Sequence, residues 1–90
     1  MNIDYKPSFL RSIKKITDPA IKEAIEQVIK SICAARTTQD IPELRKLRGY
    51  KSGTFYRIKV DDYRIGVIID NDIVTLAIFM HRKDIYKFFP

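Results

Sequence analysis

The chain has 90 residues, of which 46% are hydrophobic and 31% charged, the usage of a single globular domain over residues 1–90, and it excludes disordered or collagen-like composition. Seventeen Lys and Arg against eleven Asp and Glu give a net charge of +6, which suits a polyanionic partner such as nucleic acid or an acidic protein. The longest apolar stretches fall far short of the ~20 residues that span a bilayer, the start Met1-Asn2-Ile3-Asp4-Tyr5 has no apolar signal region, and the lone Cys33 excludes an internal disulfide and a cysteine-cluster metal site; no membrane association and a cytoplasmic location are expected.

Residues 2–6 alternate polar and apolar, as a short half-buried strand does. Pro7 can open a helix, and Phe9, Leu10, Ile13 and Ile16 form one apolar stripe, which predicts a first helix over residues 8–16. A second helix is marked more strongly. Asp18 is a good N-cap and Pro19 a good first helical residue; Ile21, Ile25, Val28, Ile29 and Ile32 follow at helical spacing, with Lys22, Glu26 and Lys30 opposite. Cys33 reads as a packing residue at the end of that helix.

Residues 36–53 read as a connector that holds a short helical turn at Leu44 and Leu47 and is punctuated by Pro42, Gly49 and Gly53. From Thr54 the period becomes two, which predicts strands over residues 54–60, 63–69 and 73–81, with turns at Asp61-Asp62 and Asp70-Asn71-Asp72. Residues 82–89 are a helical turn or an irregular cap. The element order is then β-α-α-β-β-β: an α+β fold with two N-terminal helices packed on one face of a small, mostly antiparallel twisted sheet.

A two-residue turn at Asp61-Asp62 pairs Val60 with Tyr63, Lys59 with Arg64, Ile58 with Ile65 and Arg57 with Gly66. A second two-residue turn keeps Val74, Leu76, Ile78 and Met80 on the helix-covered side with Ile58, Val60, Ile65 and Val67. The opposite face then carries Arg57, Lys59, Arg64 and His81 around a floor of Gly66, Thr75 and Ala77, small enough to leave a depression. Like charges opposed across strands are destabilising, so Lys59 beside Arg64 points to an anion site; long cations that simply extend from a solvated face are the competing reading.

The segments Leu44-Arg45-Lys46-Leu47-Arg48-Gly49, Tyr56-Arg57-Ile58-Lys59-Val60-Asp61-Asp62-Tyr63-Arg64-Ile65 and His81-Arg82-Lys83-Asp84-Ile85-Tyr86 resemble the RelE/ParE superfamily of type II toxins. The resemblance implies a RelE-like fold, a cognate antitoxin in a hetero-oligomeric complex, and one of two activities. RelE-like members are ribosome-dependent mRNA endoribonucleases; ParE-like members inhibit DNA gyrase and lack the catalytic residues. The resemblance carries a RelE-like catalytic site onto Arg57, Lys59, Arg64, Arg82 and Tyr86, with His81 at a position often occupied by another base. Arg45, Lys46, Arg48, Lys51, Lys83 and Lys87 are the further RNA-binding candidates.

The implied reaction uses no metal and no cofactor. The 2′-hydroxyl attacks its own 3′ phosphate, while Arg57, Arg64 and Arg82 balance phosphoryl charge through forked donors. Lys59 or His81 accepts the proton, and Tyr86 stacks on a base. Where one branch of the family has two lysines on the first of these strands, this chain has Arg57 and Lys59, and arginine is a poor general base.

Overall fold

The computed structural model describes residues 1–47 and 54–90. Its elements are β1 (Asn2–Tyr5), α1 (Pro7–Lys14), α2 (Pro19–Ala34), a 3-10 turn (Thr38–Asp40), β2 (Leu44–Lys46), β3 (Phe55–Val60), β4 (Tyr63–Asp70), β5 (Ile73–His81) and α3 (Ile85–Phe88). The five strands form one sheet in the order β1-β5-β4-β3-β2; β1 runs parallel to β5 and the other neighbours are antiparallel. No helix among the described residues is long and apolar enough to cross a membrane.

Local chemistry explains each helix boundary. Asp18 accepts from the Ala20 N–H at 2.9 Å and Pro19 occupies the first helical position, as the sequence predicts. At the other end of α2, the Met1 ammonium donates to the carbonyls of Ile32 (3.1 Å) and Ala35 (2.6 Å). A cation there satisfies orphan carbonyls and meets the negative end of the helix dipole. The following 3-10 turn closes on itself: Asp40 accepts the backbone N–H groups of Arg36 and Thr37, which lowers its pKa below the ordinary carboxylate value.

The main core lies between the helices and one sheet face. Phe9 from α1, Ile21, Ile25 and Ile32 from α2, Ile58 and Val60 from β3, Ile65 and Val67 from β4, and Val74, Leu76 and Phe79 from β5 are buried together. Each fully buried aliphatic or aromatic side chain contributes roughly 1.5–3 kcal/mol relative to exposure. Two apolar expectations fail: Leu10 of the first predicted stripe is 43% exposed, and Cys33, expected to pack at the end of the second helix, is exposed.

Two elements correct the sequence reading. Leu44–Lys46 is not a helical turn but the edge strand β2, paired with β3 through Leu44 to Ile58, Arg45 to Arg57 and Lys46 to Tyr56. The order of helices and strands through β5 is therefore β-α-α-β-β-β-β. Three residues are too few for alternation to be visible, and pairing with β3 supplies what local pattern cannot.

The second correction lies in β5. The turn at Asn71-Asp72 has two residues, both at positive φ (48° and 65°), the backbone a type I′ hairpin demands. Its register then runs as predicted to Val67–Leu76, but a bulge follows and Gly66 pairs with Ile78. One extra residue shifts parity. Phe79 consequently enters the main core, whereas Ile78 and Met80 pack on the opposite face.

Helix α1 holds the bulge in place. After Lys6 donates to the Leu76 carbonyl, β1 ends, and the edge of β5 is completed by two serines. The Ser8 hydroxyl donates to the Ala77 carbonyl, and the Ser12 hydroxyl accepts from the Phe79 N–H at 3.0 Å while donating to the Phe9 carbonyl at 2.8 Å. Backbone groups that a neighbouring strand would satisfy are thus paired by side chains.

Candidate RNA-binding face

The site is built on the sheet face that α1 and α2 leave uncovered. The β3–β4 register is as predicted: Val60 to Tyr63, Lys59 to Arg64, Ile58 to Ile65 and Arg57 to Gly66. Strand β2 adds Arg45 directly beside Arg57. Arg45, Arg57, Lys59 and Arg64 therefore share one end of one face across three adjacent strands. Among the described residues the ion pairs are Arg82 with Asp62 and Lys87 with Asp84, so none of these four cations is neutralised by a carboxylate within the described residues.

Backbone carbonyls orient two of them. The Arg64 guanidinium donates to the carbonyls of Asp61 (2.9 Å) and Tyr63 (2.8 Å), turning toward the β3–β4 turn. Arg45 donates to the carbonyl of Leu44 at 3.1 Å. Turning Arg64 toward carbonyl dipoles lessens the like-charge cost of sitting opposite Lys59. Arg57 is half-buried and Lys59 is exposed.

The C-terminal segment crosses the other end of this face. Ile85 and Phe89 are buried with Ala77, and Leu47, Phe55, Ile68, Ile78 and Met80 pack against them. The expected depression over Gly66 is filled: the Phe89 ring lies directly on it. A side hollow of about 400 Å³ remains, lined by Lys6, Ser8, Phe55, Ile68, Ala77, Ile78, Phe88, Phe89 and Pro90. Of the apolar tail residues, Ile85 and Phe89 pack into this second cluster, whereas Phe88 is 63% exposed.

Arg82 and Tyr86 enter on that segment. The Arg82 backbone N–H donates to the Asp62 carbonyl at 2.8 Å, and its guanidinium stands 3.9 Å from the Asp62 carboxylate with both side chains more than half exposed. This docks the start of the tail on the β3–β4 turn, beside Arg64. Tyr86 is 55% exposed, leaving its ring open to a stacking partner. Lys83 is exposed, and Lys87 lies 3.7 Å from Asp84.

His81 departs from the predicted constellation. The bulge pairs it with Tyr63 instead of placing it among the cations, and the two rings meet edge-on at 5.6 Å. Its Nδ1 accepts the Lys83 N–H at 3.2 Å, so that lone pair is engaged and the neutral ring carries its proton on Nε2. Lys46 likewise sits on the other parity, opposite Tyr56. Arg48 and Lys51 lie outside the described residues.

Chemically, the face offers cations at the pitch of adjacent strands, about 4.8 Å apart, with an exposed aromatic ring on a neighbouring segment. Such an array can hold phosphate oxygens by forked, charge-assisted hydrogen bonds while a base stacks nearby.

Comparison with known proteins agrees with this architecture. A family described as the ParE toxin of the type II toxin-antitoxin system, parDE, matches residues 3–86. Toxin RelE3 of Methanocaldococcus jannaschii is 29% identical over 91 residues, covering 100% of both chains. The RelB-RelE antitoxin-toxin complex from Methanococcus jannaschii contains a chain that superposes with a TM-score of 0.79 at 26% identity, over 97% of this chain and 99% of that one. The YoeB dimer from Staphylococcus aureus has the same fold at 19% identity, with a TM-score of 0.72 over 91% and 97% of the two chains.

Proposed function

The chain belongs to the ParE toxin family of type II toxin-antitoxin systems, within the RelE/ParE superfamily, and from that membership we propose that it is a RelE-like, ribosome-dependent endoribonuclease. It acts in the cytoplasm as one domain on mRNA, and a cognate antitoxin silences it. The antitoxin is supported by the similarity to the toxin of an antitoxin-toxin complex. The nuclease reading is supported above all by the row of Arg45, Arg57, Lys59 and Arg64 on the uncovered face, with Arg82 and Tyr86 carried beside it.

In this reading the message lies along that face. Arg57, Arg64 and Arg82 hold the scissile phosphate and offset the charge that grows on its oxygens. Tyr86 stacks on a neighbouring base and fixes the sugar so that its 2′-oxygen stands in line with the leaving oxygen. The 2′-oxygen forms a bond to phosphorus as its proton passes to Lys59, which acts in this step as the neutral amine. The bond from phosphorus to the 5′ oxygen breaks, and that oxygen departs with the electron pair and takes its proton from solvent water. The products are a 2′,3′-cyclic phosphate and a 5′-hydroxyl end.

Between the two candidate bases, Lys59 fits better than His81. The free lone pair a base needs is engaged at His81 by the Lys83 N–H, whereas Lys59 stands beside Arg57 and Arg64 on the reacting face. Lys59→Arg keeps the charge but removes the deprotonable group.

Purified toxin added to programmed ribosomes should cut the bound message, read by primer extension. Lys59→Arg should lose the cut while still binding, and His81→Ala should cut within about threefold of the parent. Intact message together with DNA breaks in a gyrase assay would overturn the nuclease reading in favour of gyrase inhibition.

A further inference from the structure

Phe89 is 6% exposed and its ring rests on Gly66. A Cβ placed on Gly66 would stand 2.8–2.9 Å from three carbons of that ring, well inside the roughly 3.5–4.0 Å at which carbon atoms pack. Gly66 does not lie in the left-handed region, and it pairs across the sheet with Arg57 on one side and Ile78 on the other. The ring, and not a backbone requirement, is therefore what excludes a side chain at this position.

The seat is held from several sides. The Phe89 N–H donates to the Ile85 carbonyl at 2.9 Å, its ring meets Phe55 edge-on at 5.8 Å, and Ile85 is fully buried beneath the same segment. Between these anchors Tyr86 is exposed, and ahead of them Arg82 docks on Asp62. Gly66 is the cross-strand neighbour of Arg57, about one strand spacing (~4.8 Å) away, so Phe89 is seated on the residue paired with Arg57.

We propose that the seating of Phe89 on Gly66 fixes the C-terminal segment beside Arg57, making these two residues positioning residues that set Arg82 against the scissile phosphate and Tyr86 against the neighbouring base. This rests on the nuclease reading above. It predicts a particular pairwise effect. Gly66→Ala should unseat the tail only while the Phe89 ring is present, whereas in a Phe89→Ala background the added methyl has nothing to strike.

The test is a double-mutant cycle on ribosome-bound message, with the cleavage rate at saturating ribosomes separated from the half-saturating concentration. Gly66→Ala and Phe89→Ala should each lower the rate roughly 10- to 100-fold, with half-saturation within about threefold of the parent. The double variant should be no slower than Phe89→Ala alone. Native-state trypsin gives a readout that does not require activity, because Arg82, Lys83 and Lys87 are exposed on the tail; either single variant should be cut there faster. Equal penalties for Gly66→Ala in both backgrounds, a full rate for Phe89→Ala, or unchanged tryptic protection would each overturn the proposal. If the parent itself leaves message uncut, the nuclease reading falls, and the tryptic cycle alone then decides whether the seat exists.

Discussion

At the scale of single residues, hydrogen-bond accounting separates side chains that hold the fold from those free to act. Ser12 bridges α1 and β5 through two backbone groups. Ser12→Ala should lower stability by about 1–3 kcal/mol in a urea titration, because the Phe79 N–H loses its partner. Arg82 is different. Among the described residues its guanidinium makes one long, exposed pair, with Asp62, worth at most about 1 kcal/mol after screening. Arg82→Ala should leave the urea midpoint nearly unchanged and reduce message cleavage roughly 100-fold or more; a matching loss of stability would make Arg82 structural. Asp18, Pro19 and the paired cations were legible in the sequence because capping and two-residue turns are local signals. The serine bridge was not, since Ser8 and Ser12 meet their partners 69 and 67 residues away.

At the scale of elements, the β3–β4 hairpin followed from its turn and its alternation, including the cross-strand placement of Lys59 and Arg64. Lys59→Ala should therefore leave the protein equally stable or up to about 0.5 kcal/mol more stable in denaturant, because it removes a like-charge pair. A clear loss of stability would mean that the Lys59 stem packs on the sheet more than its ammonium repels. Strand β5 was legible as far as Ala77. Strict alternation assigns every residue from Ile78 onward to the wrong side, and nothing in Thr75-Leu76-Ala77-Ile78-Phe79 announces the extra residue, since apolar side chains suit either face here. The outer face was expected to be polar with a bare floor, but the tail supplies a second apolar layer over part of it. Sequence pattern could not resolve that layer, because a four-residue helix is too short to show a period.

At the scale of the whole molecule, the chain divides labour between the two sides of one sheet: helices cover one, and cations with a short tail occupy the other. On the helix side, the Met1 ammonium closes the carbonyl end of α2. Acetylating that amino group should lower thermal stability by about 0.3–1 kcal/mol, with the loss shrinking in high salt, and it should leave cleavage of ribosome-bound message intact because the outer face is untouched. The bulge at Ala77 has a wider evolutionary meaning. Strand β5 behaves as two segments written in different frames, so deletion of the Ala77 codon would leave Leu76 inside, Ile78 outside and Phe79 inside in unbroken alternation, and the bulge would vanish while every other residue of the strand kept its side. A single indel can therefore create or erase the bulge without moving any of the flanking residues to the other face of the sheet.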